Sequence, residues 1–347
     1  MLFVGTYTGR GSVGVYACHF DPDTAALTLG AVAEGIENPS FLAVDSARGR
    51  LFAVEETGPE GAVSAYSYNP ESGALTFVNR RPSQGAHPCH LCVDRSGRWV
   101  LAANYSSGTA CVLPVDQTGR LLDASAVVRH TGSGPRPDRQ EGPHAHSITL
   151  DPTERFALVA DLGLDRVMVY RFDAGAGTLT PAEPPWAQLH PAAGPRHLAF
   201  HPTGPFVYVI NELDSTLTAC AWEAGEGALR PVQTVPTLPP DFAGISHCAD
   251  VHVSPSGRFV YGSNRGHDSL VIYAVDASTG LLGYVGHEPT QGRNPRNFAL
   301  DPSGRFLLAA NQDTDAIVAF RLDHDTGRLS PTGQVTHTPT PVCLCFA

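Results

Sequence analysis

Short apolar runs alternate with polar turns along the whole chain, and six segments repeat one layout: a strand-like run, a turn of the Asp-Pro-Ser-Gly-Arg type, and a second strand-like run. They read PSFLAVDSARGRLFAVEE, PCHLCVDRSGRWVLAANY, AHSITLDPTERFALVADL, PRHLAFHPTGPFVYVINE, ADVHVSPSGRFVYGSNRG and PRNFALDPSGRFLLAANQ. Their turns are anchored at Asp45, Asp94, Asp151, His201, Ser254 and Asp301. Successive anchors lie about 50 residues apart, which suits a four-stranded propeller blade and exceeds the WD40 period. Each unit continues into two further strands, as in AIVAFRLD followed by a DTGRLS turn, so the pattern predicts an antiparallel four-strand meander. A seventh blade is split between the ends. PVCLCFA matches the first strand of the repeat, while LFVGTYTG, GVYACHFD and ALTLGAV supply the second, third and fourth. Pairing the two ends removes the open edges of the ring. The expectation is therefore an all-β, seven-bladed β-propeller of four-stranded antiparallel blades, one domain over residues 1–347, with the seventh blade closed by N- and C-terminal strands.

Alternation within the first strand separates core from site. The positions three and one before the anchor are bulky in every copy (Leu42/Val44, Leu91/Val93, Ile148/Leu150, Leu198/Phe200, Val251/Val253, Phe298/Leu300, Leu344/Phe346), and the residue between them is mostly small. Large residues on one face and small on the other allow sheets to pack closely near an axis. Five positions before the anchor this regularity ends, and the copies read Ser40, Cys89, His146, Arg196, Ala249, Arg296 and Val342. Ten and eleven positions after it stand pairs such as Asp161/Leu162, Asn211/Glu212 and Asn264/Arg265. The second strand runs antiparallel to the first, so both sets meet at one mouth of the central channel.

That mouth is expected to collect Arg196, Arg265, Arg296, His146, His197, Glu212 and Asp161 from different blades. Guanidinium forks beside a His and a carboxylate suit an anionic substrate undergoing proton transfer. Taken singly, each of these residues could equally be a hydrogen-bonding tie between blades. As a group they are harder to explain so, because clustered arginines repel one another unless an anion lies between them. The Gly/Pro-rich segment RHTGSGPRPDRQEGPHAHS, in the longest gap between anchors, reads either as a loop covering the substrate, with His144 and Gln140 as contacts, or as a plain surface loop. His146 and Glu212 are placed at the rim, outside the apolar layers, where substitution should leave the fold intact.

Composition narrows the partners. The net charge is −11 and every basic residue is Arg, which disfavours nucleic acid or an anionic membrane as a partner. The opening MLFVGTYTGR is too short in its apolar part, and lacks the basic flank, for a signal peptide or membrane span, so a cytoplasmic location is expected. Eight irregularly spaced cysteines, mostly inside strand-like runs, are expected to be free and buried thiols. The CHLC run at Cys89 and Cys92 is not a metal site on this reading, since residues three apart on a strand face opposite ways. No metal and no cofactor are expected.

The segments RQEGPHAHSITLDP, VADLGLDRV, GPRHLAFHPTG, VYVINELDS, HCADVHVSPSGRFVYGSNR and NPRNFALDPSGRFLLAANQ resemble the seven-bladed propeller lactonases, the group of bacterial 6-phosphogluconolactonases and fungal carboxymuconate lactonizing enzymes. The resemblance covers nearly the whole chain. It implies catalytic roles for His146 in PHAHS, Arg196 in GPRHLAFHP, Glu212 in INEL and Arg265 in SNRG; the substrate contacts expected beside them, His197, Arg296 and Asp161 at the mouth and His144 and Gln140 on the loop, rest on position in the chain alone. The activity implied is hydrolysis of a sugar lactone, foremost 6-phosphogluconolactone of the pentose phosphate pathway. Either Glu212 or His146 would be the base on water, and Arg196 or Arg265 would stabilise the oxyanion. The partner is then a small anionic lactone and the protein a monomer or weak homo-oligomer. Two alternatives stand beside it: a cycloisomerase of the carboxymuconate type, and a non-catalytic propeller that binds proteins. The latter predicts WD dipeptides, whereas the tryptophans here precede Val, Ala and Glu.

Overall fold

The computed structural model describes all residues from Met1 to Ala347. Seven four-stranded antiparallel sheets form the ring, each running from an innermost strand at the axis to an outermost one at the rim. The closure predicted from the ends is present: Pro341–Phe346 is the innermost strand of the blade completed by Leu2–Thr6, Gly14–Phe20 and Leu27–Glu34. Leu2 pairs with Phe346 and Val4 with Leu344. This blade is packed on both sides, with Leu2, Val4 and Leu344 against Phe306 and Leu308, and Phe3 and Cys343 against Leu42 and Leu51.

The repeated turn has a local cause. The Asp151 carboxylate accepts from the backbone amides of Arg155 at 2.9 Å and Phe156 at 2.8 Å, and Asp94 does the same for Arg98 and Trp99. An acceptor at the anchor thus fixes the hairpin before the second strand starts. Gly97 and Gly304 follow with φ of 64° and 71°, a conformation that costs a residue with a Cβ. The turn arginine then reaches the next blade: Arg98 donates to the Ala174 carbonyl at 2.9 Å and Arg155 to that of Ala224 at 2.7 Å. Arg305 makes the same strap to Pro22, across the joint between the chain's two ends.

A second regularity decides where the innermost side chains point. The pairing of first and second strands skips one residue between Pro88 and His90, between Ala145 and Ser147, between Pro195 and His197 and between Pro295 and Asn297. The skipped residues are Cys89, His146, Arg196 and Arg296. A β-bulge leaves its extra residue unpaired and re-aims the side chain, which is why bulges collect beside active sites. These four side chains therefore turn into the mouth, and the next residue of each strand turns down the channel. There Phe41 stacks on His90 at 4.1 Å, and His90 meets the edge of His197 at 5.2 Å, so aromatic rings plug the channel beneath the mouth.

All eight cysteines are free, six of them buried. No helix is long and apolar enough to cross a membrane.

Candidate active site

A cavity of about 310 Å³ opens at the mouth, lined by Glu56, Cys89, Tyr105, Arg139, His146, Glu212, His247, Arg265 and Arg296. Beneath it the space narrows against Arg196, His197 and Phe41. Glu212 is the hub. Its Oε1 accepts from Arg139 Nη2 at 2.6 Å, and its Oε2 lies 3.1 Å from Arg196 Nε and 2.8 Å from Arg265 Nη2. Burial alone would raise the Glu212 carboxyl, but Arg265, Arg196 and Arg139 together hold it well below the usual carboxylate range. It is a fixed anion at every physiological pH.

Arg196 is the most deeply set of these arginines. It also donates through Nη1 to the Ala249 carbonyl and, at 3.1 Å, to His197 Nε2. Burial, then the charges of Arg296 and Arg265, bring its guanidinium down to about 10, still protonated at neutral pH. Because Nε2 of His197 accepts, its Nδ1 carries the proton, which it donates to Asp250 Oδ1 at 2.8 Å. Burial and the facing Arg196 push His197 down to about 4, so it remains neutral. Asp250 is anchored in turn by His252 Nε2 at 3.0 Å and by the side-chain amide of Asn297. The series Glu212, Arg196, His197 and Asp250 spans two blades and sets the position of each member.

On the other side of the cavity Arg296 Nη2 donates to the Tyr7 hydroxyl at 2.8 Å, and that hydroxyl donates to Glu56 Oε2 at 2.8 Å. Ser40 donates to the same carboxylate oxygen. His146 stands between the two groups, its Nδ1 3.7 Å from Cys89 Sγ and its ring 5.4 Å from that of His197. Burial and the nearby Arg196 depress its basicity well below that of an ordinary imidazole, so the ring is neutral at pH 7. Four guanidinium groups against two carboxylates leave the cavity with two excess positive charges when the imidazoles of His146, His197 and His247 carry none.

His146, Arg196, Glu212, Arg265, Arg296 and His197 all surround this space. Three other residues named from the sequence do not line it. Asp161 faces away: its carboxylate accepts from the amides of His144 at 2.8 Å and Gly163 at 3.0 Å, and from His130. The cause is strand alternation, since residues ten after the anchor point out of the mouth and those eleven after it point in. Asn104, Asn211, Asn264 and Asn311 share the outward orientation and are fully buried among loop groups. Gln140 donates to the Leu162 carbonyl at 2.9 Å and to Asp165 at 2.7 Å, which makes it the loop's fastening. His144 stacks on Tyr105 at 4.5 Å and supports that ring from behind. The rim placement of His146 and Glu212 also needs correcting, because each is only 5% exposed.

Sequence reasoning brought Tyr105, Glu56 and Cys89 to the mouth without giving them a role there, and passed over Arg139 and Asp250. Glu56 and Tyr105 occupy the inward position eleven after the anchor, and Cys89 the bulged one, so repeat position placed them there. Arg139 belongs to the loop and has no counterpart in the repeat.

Residues 1–346 match the family described as “Lactonase, 7-bladed beta-propeller”. A 6-phosphogluconolactonase of Bacillus subtilis is 38% identical over 299 residues, 86% of this chain and 84% of that protein. One from Formosa agariphila is 33% identical over 306 residues, 86% of each. Among solved structures, the periplasmic gluconolactonase of Pseudomonas aeruginosa superposes with a TM-score of 0.93 at 34% identity, covering 99% of this chain and 97% of its own. A candidate 6-phosphogluconolactonase of Bacteroides fragilis does so at 0.94 and 36%, covering 100% and 97%.

Proposed function

The chain belongs to the seven-bladed β-propeller lactonase family, and on that premise we propose that it hydrolyses 6-phosphogluconolactone at the arginine-ringed mouth. The observation that carries this reading is the charge of the cavity. Its two uncompensated positive charges match a phosphate monoester, which carries about −1.5 to −2 at neutral pH. A neutral sugar lactone would leave those arginines unpaired.

In the proposed reaction a water molecule attacks the lactone carbonyl while His146 takes its proton. The carbonyl oxygen becomes an oxyanion facing Arg265 and Arg196. As the tetrahedral species collapses, the bond from carbon to the ring oxygen breaks, and the imidazolium returns the proton to that oxygen. One water is consumed and one hydroxy acid formed. Glu212 does not serve as base in this scheme. Both oxygens of that carboxylate are already committed to the guanidinium groups of Arg139, Arg196 and Arg265, and its part is to hold Arg196 and Arg265 side by side. His197, with its tautomer set by Asp250, keeps Arg196 oriented. Such groups, fixed before the charge develops, are typically the largest single contribution to acyl transfer.

The proposal needs no cofactor and places the reaction in the cytoplasm. Its test is acid release from freshly prepared 6-phosphogluconolactone in a pH-stat, corrected for spontaneous opening. Release well above the background by the wild type, and not by His146→Ala, supports it. Interconversion of a carboxymuconate and its lactone, with no hydrolysis of the sugar lactone, would overturn it in favour of the cycloisomerase.

A further inference from the structure

The four arginines around the cavity are not equivalent. Arg196 spends Nε and Nη1 on Glu212, Ala249 and His197. Arg265 is held by Glu212 and by the Cys248 carbonyl at 2.9 Å, and Arg296 by Tyr7. All three stand on strands of the ring. Arg139 alone arrives on a loop, and its side chain is 29% exposed against 3% for Arg196 and 15% for Arg265. Only Nη2 is engaged, with Glu212 at 2.6 Å and the Tyr105 hydroxyl at 3.5 Å, so the Nε and Nη1 donors remain open to the cavity.

The loop holds this residue firmly. Next to it in the chain, the Gln140 side chain is tied to Leu162 and Asp165 and accepts from the Arg136 amide at 3.1 Å. The Arg139 amide itself bonds to the Arg136 carbonyl at 3.2 Å. Tyr105 is backed by the stacked ring of His144, which comes from the far end of the same loop. A guanidinium with two free donors, a hydroxyl beside it, and a backbone fixed on either side form a receptor for a tetrahedral dianion, which favours the planar two-pronged geometry of Arg.

We propose that Arg139, with the Tyr105 hydroxyl, is the phosphate receptor of this site, and that the loop of residues 130–144 serves to hold it over the mouth. The inference rests on the phospholactone reading above. When the phosphate binds, Arg139 turns part of its charge from Glu212 to the substrate, so the residue sets preference for phosphorylated over unphosphorylated lactones.

The experiment measures kcat/KM for 6-phosphogluconolactone and for its unphosphorylated analogue with the wild type, Arg139→Ala and Arg139→Lys, together with competitive inhibition by inorganic phosphate. Loss of a charged hydrogen-bond pair predicts that Arg139→Ala lowers the ratio of the two kcat/KM values by about 10- to 100-fold, chiefly through KM for the phosphorylated substrate. Inhibition by phosphate should weaken in parallel, and Arg139→Lys should recover part of the ratio because it keeps the charge but not the fork. A ratio unchanged in Arg139→Ala, with both substrates slowed alike, would overturn the proposal and leave Arg139 a support for Glu212. If the wild type opens neither lactone, the reading of the site itself fails, a result distinct from the first.

Discussion

Replacing Glu212 by Gln isolates what the buried carboxylate does. The substitution keeps the shape of the side chain but removes the charge that faces Arg139, Arg196 and Arg265. Breaking a buried ion pair by neutralising one partner costs about 3–5 kcal/mol, and the lower end applies because the amide oxygen still accepts from one arginine and the cavity admits water. For a chain of 347 residues the unfolding entropy is roughly 0.7 kcal/mol/K, so a loss of about 3 kcal/mol lowers Tm by about 4 °C. The pH dependence follows from the depressed carboxyl. Since its folded pKa lies below the unfolded value of about 4.3, the stabilisation is fully present above that value and is lost only as pH falls through the folded one. The gap in Tm between wild type and variant should therefore stay constant from pH 8 to about pH 5 and narrow only in stronger acid. Differential scanning calorimetry across that range checks it. A variant as stable as the wild type at pH 7, or a gap that closes near pH 6, would refute the view of Glu212 as the fixed counter-ion of the arginine cluster.

Other expectations are as direct. His146→Ala should lower turnover by about two to four orders of magnitude, the usual worth of a positioned base, and retained activity would remove His146 from the mechanism. Because burial holds the His146 imidazole well below its ordinary value, kcat should stay flat as pH falls through 6.5 and decline only in more acid solution; an acid limb centred near 6.5 would contradict that environment. Deleting residues 341–347 removes the innermost strand paired with Leu2–Thr6 and exposes the core contacts of Val342 and Leu344, roughly 3–6 kcal/mol of burial before any strand hydrogen bond is counted. The truncated chain should fail to fold; a monomer melting cooperatively near the full-length temperature would refute the ring closure. No step of the scheme runs through a metal, so activity lost to a chelator and restored by a divalent cation would count against it.

The architecture was legible because the repeat is both structural and dense. Anchors such as Asp94 and Asp151 sit where an acceptor must cap a hairpin, and the bulky pairs before them face the neighbouring blade, so period and alternation together dictate a ring. Site residues could be read as far as they obey the repeat: His146, Arg196 and Arg296 occupy one position, Glu212 and Arg265 another. Asp161 was misplaced because two adjacent positions were assigned to the mouth, although neighbours on a strand face opposite ways. The bulge at Cys89, His146, Arg196 and Arg296 left no mark in the pattern, since it depends on one skipped pairing and not on residue type. Gln140 and Arg139 are adjacent in a loop without periodicity, and only the folded chain separates the fastening from the residue that enters the site. Burial was hidden in the same way. Polar residues at a strand end read as rim, yet the loop and the opposite blades cover His146 and Glu212.

The claim that this mouth is where a phospholactone is opened is tested most directly by a crystal structure with 6-phosphogluconate, the product of the proposed reaction. The account predicts one product molecule inside the ring of Arg139, Arg196, Arg265 and Arg296, with its carboxyl carbon within about 3–3.5 Å of the position from which a water bound to His146 Nε2 would attack. Product seated in another cavity, such as the apolar one between Val235 and His287, with the arginine mouth left to solvent, would contradict it.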